Sequence, residues 1–221
     1  MSRIVLRLAI FATVIGIGVS NPNSLRAHPH AWIDLWVEVV FNESGAATGL
    51  RQTWLFDDFF SAYATEGMDE DGDGQPDKEP LAQLVRENIE SLAEYQYFTK
   101  AWIGGNTIKL NEVTEMSAEV RENRLAMIYY VPFVKPVRTD IGPLVYSVYD
   151  PTYYIEILHA EAEDAIQLAS STAGCSYHLL PPDPKEEEVA LAASLAPSES
   201  AGDGLGQYFA ERVTISCTSH G

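Results

Sequence analysis

The sequence predicts an α+β protein, mainly antiparallel β in a sandwich-like body, with a helix, an EF-hand-like loop and a second helix inserted near its start. Three patterns carry that expectation. Apolar residues alternate with period two from Ala31 to Phe41. The period changes to three and four between Leu81 and Tyr95. From Ala101 onward, short β-rich runs are separated by turn residues.

In the first run Ala31, Ile33, Leu35, Val37, Val39 and Phe41 share one face, and His30, Trp32, Asp34, Trp36 and Glu38 the other. That is a half-buried strand. A turn at Asn42-Glu-Ser-Gly45 leads to a second strand, Leu50 to Phe56, so the pair reads as a hairpin. Asp57 has the chemistry of an N-cap for a short helix through Phe59, Phe60 and Tyr63. Glycines and carboxylates make Gly67 to Glu79 a loop. Pro80 suits the first turn of the helix that carries Leu81, Leu84, Val85, Ile89, Leu92 and Tyr95. The helical insertion therefore spans 58–97.

Further strands are expected at Ala101 to Ile103, Thr107 to Leu110, Ser117 to Val120, Leu125 to Val131, Leu144 to Tyr149, Tyr153 to His159 and Ile166 to Ala169. Pro181-Pro-Asp-Pro184 leads into a short helix, Lys185 to Leu195, with 181–206 read as a flexible segment. A last strand runs from Tyr208 to Cys217.

Composition narrows the function. The 221 residues hold 32 Asp+Glu against 14 Lys+Arg, a formal charge of −18. Nucleic-acid binding needs clustered Lys and Arg, so it is excluded in favour of cationic partners. Arg3 and Arg7 precede the apolar run Leu8 to Val19, and residues 1–27 read as a secretory signal peptide ending at Ala27. The run is shorter than the ~20 residues of a membrane span, which disfavours an uncleaved anchor. The expected mature chain is a single periplasmic domain, 28–221, soluble after cleavage. Cleavage removes three arginines and no acid, so the balance becomes about −21. Cys175 and Cys217, an even pair in an oxidising compartment, are expected to form a disulfide.

Two groups of residues point to metal. In Asp69-Glu-Asp71-Gly-Asp73-Gly74-Gln75-Pro-Asp77-Lys-Glu79-Pro80, Asp69, Asp71 and Asp73 match positions 1, 3 and 5 of an EF-hand Ca²⁺ loop, Gly74 position 6, Gln75 position 7 and Asp77 position 9. Position 12 should be a bidentate Glu and is Pro80, with Glu79 one place earlier as the possible substitute. The readings of this loop are a Ca²⁺ site of weakened affinity and a solvated acidic turn. If cleavage follows Ala27, the α-amine and imidazole of His28 can chelate one Zn²⁺, Ni²⁺ or Co²⁺ together with His30. Asp34, on the same strand face as His30, and His159, among carboxylates, are additional ligand candidates; the rival reading of both histidine positions is ordinary surface or strand-end chemistry. No Gly-x-Ser-x-Gly, His-Glu-x-x-His or phosphate-binding glycine loop is present, and an enzyme is not expected.

The stretches Ala27-His-Pro-His-Ala-Trp-Ile-Asp34, Gln52-Thr-Trp-Leu-Phe-Asp-Asp-Phe59, the Asp/Gly loop with its helix to Tyr97-Phe-Thr99, Tyr149-Asp-Pro-Thr-Tyr153, Gly174-Cys175 and Leu205-Gly-Gln-Tyr-Phe-Ala210 up to Cys217 resemble the domain-of-unknown-function family 1007. The resemblance covers nearly all of the mature chain. It implies a periplasmic component of an ABC-type transport system, associated with nickel/cobalt-type inner-membrane permeases or zinc-regulated uptake. It also implies an EF-like loop closing with Glu, from which Pro80 departs. The expected function is thus a periplasmic accessory or metal-binding component of transition-metal transport, with Ca²⁺ in the loop and a metal permease as partner. The alternative is a non-metal interaction module docking on an inner-membrane permease.

Overall fold

The computed structural model describes residues 29–168, 174–196, 199 and 201–218. Residues 1–27, read from the sequence as a signal segment, and His28 lie outside these residues.

The expected α+β, mainly antiparallel architecture is what the chain adopts. Its strands are β1 (Ala31–Phe41), β2 (Ala46–Phe56), β3 (Thr99–Ile103), β4 (Asn106–Thr107), β5 (Met116–Arg121), β6 (Arg124–Arg138), β7 (Leu144–Val148), β8 (Ile155–His159), β9 (Ile166–Leu168), β10 (Cys175–Leu180) and β11 (Arg212–Cys217). Three helices join them: α1 (Asp58–Ala64), α2 (Lys78–Ala93) and α3 (Glu186–Ser194). One sheet runs β5-β6-β2-β1-β8, with β9 also paired to β1; the other runs β10-β11-β7-β3-β4.

The alternation in β1 does what its period requires. Ala31, Ile33, Leu35, Val37 and Val39 are all at most 3% exposed, and the residues between them are not buried. Phe41 is only partly buried, because a register shift between Val40 and Phe41 turns the strand end. The hairpin with β2 pairs Ile33 with Phe56 and Val39 with Leu50. On its other edge β1 pairs in parallel with β8 and then with β9, the parallel part of an otherwise antiparallel sheet. One core joins both sheets, holding Leu35, Leu50, Trp54 and Met127 from the first and Ala101, Leu144, Tyr146 and Val213 from the second.

A polar bridge crosses that core. The fully buried Gln52 carboxamide donates to Thr99 Oγ1 at 2.8 Å and accepts from Trp54 Nε1 at 3.0 Å and from the Tyr129 hydroxyl at 3.2 Å. Every member has a partner, as burial in low dielectric demands.

In α2, Leu81, Val85 and Ile89 recur at four-residue spacing and are buried toward the core, while the helix packs beside β5. Each such side chain stabilises the fold by roughly 1.5–3 kcal/mol. The helix begins at Lys78 with Asp77 as N-cap, two residues before the expected start, so Pro80 falls in its first turn, where a missing N–H costs nothing.

Several later segments differ from expectation: β4 is Asn106–Thr107, β10 has no counterpart among the expected strands, and the last strand starts at Arg212. Strand β8 starts at Ile155, because Tyr153 has left-handed backbone (φ 59°) and belongs to the preceding turn. The expected short helix at Lys185 to Leu195 is α3, and Ala192 and Leu205 of the same segment share a small core with Tyr153, on which Phe209 stacks at 3.8 Å. Cys175 and Cys217 face each other across β10 and β11 and are disulfide-bonded.

Candidate functional site

The loop between α1 and α2 is built by its own carboxylates. Asp57 caps α1, its Oδ1 accepting from the Phe59 and Phe60 amides at 2.9 Å. Past the end of α1, Asp69 curls the chain around itself: Oδ1 accepts from Gly72 N at 2.8 Å and Oδ2 from Gly74 N at 3.0 Å. Asp71 Oδ1 accepts from Asp73 N, and Asp73 Oδ1 from Gln75 N. Gly72 (φ 78°) and Gly74 (φ 88°) supply left-handed turns that a side chain would strain. The loop ends are tied at Asp77, whose N–H donates to Met68 O at 2.7 Å and whose Oδ2 accepts from Glu70 N at 2.8 Å.

This folding gathers one oxygen each from Asp69, Asp71 and Asp73 to within 4.8 Å of one another, all three side chains being exposed. Among the described residues it is the one group of three or more His, Cys, Asp or Glu so gathered. Asp77 and Glu79 stand outside it. Gln75 turns its side-chain amide to Gly74 O at 2.9 Å, leaving position 7 to its main-chain carbonyl. In an EF-hand the bidentate Glu sits in the first turn of the exiting helix, which Pro80 occupies here. Glu79, one residue earlier, is displaced by roughly 100° around the helix axis. An all-carboxylate donor set fits a hard cation such as Ca²⁺ and not Zn²⁺ or Ni²⁺, with fewer oxygens than the six to eight that Ca²⁺ takes in full.

The remaining expected ligands are dispersed. His30 donates its backbone N–H to Tyr154 O at 2.8 Å, and its ring lies 4.5 Å from that of Tyr154. Asp34 shares its strand face but lies about 13 Å along the strand from His30, and its carboxylate pairs with Arg124 Nη2 at 2.8 Å. The same guanidinium donates to Leu55 O and Phe56 O, locking Asp34 into the fold. The histidine at 159 has both ring nitrogens taken: Nδ1 lies 2.7 Å from Glu211 Oε2 and Nε2 3.0 Å from the Tyr146 hydroxyl. Its side chain is 3% exposed, so protein partners take both nitrogens that a ligand role would need, in line with the strand-end reading. Burial, then the nearby Glu211 charge and Tyr177, push the Tyr146 phenol well above its ordinary value.

Sequence reasoning missed a second assembly. Asp150, 4% exposed, accepts from Thr152 N, Thr152 Oγ1, Tyr154 N and Ile155 N. Asp-Pro-Thr is an Asx-turn signal that could have revealed it. The segment 204–206 lies on this turn, with Gly204 N and Gly206 N both donating to Pro151 O at 3.0 Å.

Fold and site together define a class: a two-sheet α+β protein carrying an EF-hand-like helix–loop–helix insertion. The chain belongs to the family described as Protein of unknown function (DUF1007), which it matches over residues 13–217. It is 27% identical over 209 residues to an uncharacterized protein of Haemophilus influenzae, covering 94% of this chain and 98% of that protein. It is also 29% identical over 94 residues to an uncharacterized 15.5 kDa protein in the trpE 3′ region of Spirochaeta aurantia, covering 41% of this chain and 66% of that one. No described helix is long and apolar enough to cross a membrane.

Proposed function

We propose that the protein is a periplasmic accessory component of a transition-metal transport system of the Zn or Ni/Co type, acting beside an inner-membrane permease, with Ca²⁺ held in the Asp69–Glu79 loop as a structural ion. The observation that carries the loop reading is the convergence of Asp69, Asp71 and Asp73 oxygens within 4.8 Å. Three formal negative charges at that separation repel one another, and a divalent cation offsets the repulsion. Because α1 and α2 flank the loop, an ion there would fix the relative placement of the two helices. Capture of the transition metal falls to the amino-terminal His28 amine and imidazole with His30, a donor set of the borderline-soft kind that such ions prefer.

Two measurements test the parts separately. Ca²⁺ binding only the native state must raise the melting temperature, by about 2.7 kcal/mol of stabilisation at a hundred times Kd. An unchanged midpoint at millimolar Ca²⁺ removes the loop reading. For capture, EDTA-stripped mature protein is dialysed against Zn²⁺ or Ni²⁺ and its bound metal counted by mass spectrometry. Retention that is absent, or unaltered in His28→Ala/His30→Ala, removes that role.

A further inference from the structure

Among the described residues, six non-glycine residues have left-handed backbone: Gln96, Tyr97, Phe98, Glu122, Asn123 and Tyr153. Glu122 and Asn123 form the two-residue hairpin turn between β5 and β6, where that conformation is the ordinary one. Of the other four, Gln96 lines a cleft, and Tyr97 and Phe98 follow it directly in the chain. The cleft has a volume of about 320 Å³ and lies between the turn after α2, the start of β3, the Asp150–Pro151 turn and the 203–207 segment. Three consecutive left-handed residues with side chains cost roughly 1–2 kcal/mol each, and such strain persists where surrounding structure enforces it for a purpose.

The enforcement is visible on both walls. Tyr97 is buried and its hydroxyl accepts from Val113 N at 3.1 Å, while Phe98 N bonds back to Tyr95 O. On the opposite wall, a Cβ on Gly206 would lie 1.8 Å from Asp150 O, so backbone touches backbone directly. Both walls are therefore held in place by interactions that lie behind the cleft surface, and the polar groups facing into it are free for another task.

Those groups are Glu94, Gln96, Lys100, Tyr149, Asp203 and Gln207, none with a side-chain hydrogen bond or ion pair to another described residue. Lys100 is the one cation of the set. It can bind a carboxylate, with the carboxamides of Gln96 and Gln207 as adjacent donors. Glu94 and Asp203 supply two acceptors for an ammonium or guanidinium, and the Tyr95 and Tyr149 rings add faces a cation can approach. The formal charge of the set is negative by one, inside a chain already at −18. A ligand that is anionic at one end and doubly cationic elsewhere satisfies every group.

We propose that this cleft is a binding site for a small basic α-amino acid, its carboxylate on Lys100 and its amino and side-chain cations on Glu94 and Asp203. The volume is at the small end of ligand pockets, as a single amino acid requires. The site is independent of the metal loop, which contributes no residue to it.

Titration calorimetry of the mature chain with L-arginine and L-lysine tests this, with L-alanine, L-glutamate and agmatine as comparison ligands. Arginine or lysine is expected to bind most tightly, alanine more weakly and glutamate weakest. Agmatine, lacking the carboxylate, should lose about tenfold relative to arginine. Lys100→Met should erase that arginine-over-agmatine difference, and Asp203→Asn should lower arginine affinity about tenfold; both positions are solvent-accessible, and unchanged melting temperatures would show the variants folded. No heat with either basic amino acid at 10 mM, glutamate binding as well as arginine, or affinities unaltered in both variants would each overturn the proposal.

Discussion

The Tyr146 hydroxyl lies 3.0 Å from His159 Nε2, and through that contact the end of β8 in one sheet is joined to the middle of β7 in the other. Glu211, just before β11, completes the join by accepting from both the backbone N–H of His159, at 2.6 Å, and its ring. Removing Glu211 leaves the His159 amide and Nδ1 without their acceptor, and removing His159 leaves the Tyr146 hydroxyl without that bond. Glu211→Ala is expected to cost about 2–4 kcal/mol, and His159→Ala a similar amount, measured as the shift in urea midpoint at constant m. A loss below about 0.5 kcal/mol in both would show the join to be incidental.

Burial raises the pKa of Tyr129 and Tyr146 well above the ordinary phenol value of 10.0. In the unfolded chain both phenols ionise near 10, so between that pH and their higher folded values the native state binds more protons. Stability from these groups is fully present below pH 10 and is lost as pH rises through the folded values. An alkaline unfolding titration should therefore show a steep transition above pH 10, moved to higher pH in Tyr146→Phe after correction for the neutral-pH cost of losing the His159 contact. Stability flat from pH 9 to pH 12 would contradict it.

Gly206 admits no side chain, since its Cβ would meet the Asp150 carbonyl. Gly206→Ala must push the 204–206 segment off Pro151 and is expected to destabilise by roughly 2–3 kcal/mol, with the loss of both amide bonds to Pro151 O. Gly45→Ala makes a useful contrast: its left-handed φ of 74° carries strain, but nothing lies within 4 Å of the added carbon, so its cost should stay near 1 kcal/mol. Thermal melts of the two variants side by side check the ordering.

Reduction of Cys175–Cys217 opens a loop spanning a sequence separation of 42. In the chain-entropy picture this lowers stability by about 3–4 kcal/mol. The Cys175→Ser/Cys217→Ser pair should unfold at correspondingly lower denaturant, and added dithiothreitol should move the parent to the same midpoint.

Much of the fold was legible because local periodicity is set by local burial. Period two in β1, the Asp57 cap and the four-residue recurrence of Leu81, Val85 and Ile89 depend on neighbours a few positions away. The parallel ladders from β1 to β8 and β9 were not legible, since nothing in Ala31–Phe41 marks which distant strand takes its second edge. The same limit hid Arg124 on Asp34 and Glu211 on His159, partners 90 and 52 positions apart. Of the candidate sites, the Asp69–Asp73 triplet was readable as short-range spacing, whereas the Lys100 cleft draws on three segments that no window of sequence spans.

The place of β1 in its sheet has a consequence for how the chain comes together. One edge of β1 is satisfied by β2 almost at once, but the other waits for residues 155 to 168. As the polypeptide emerges from its amino end, a hairpin with an unpaired strand edge exists for about half of synthesis, open to any other extended segment it meets. Closure of the second edge of β1 is thus a late event with a long loop to bring round, which makes slow assembly intrinsic to this topology.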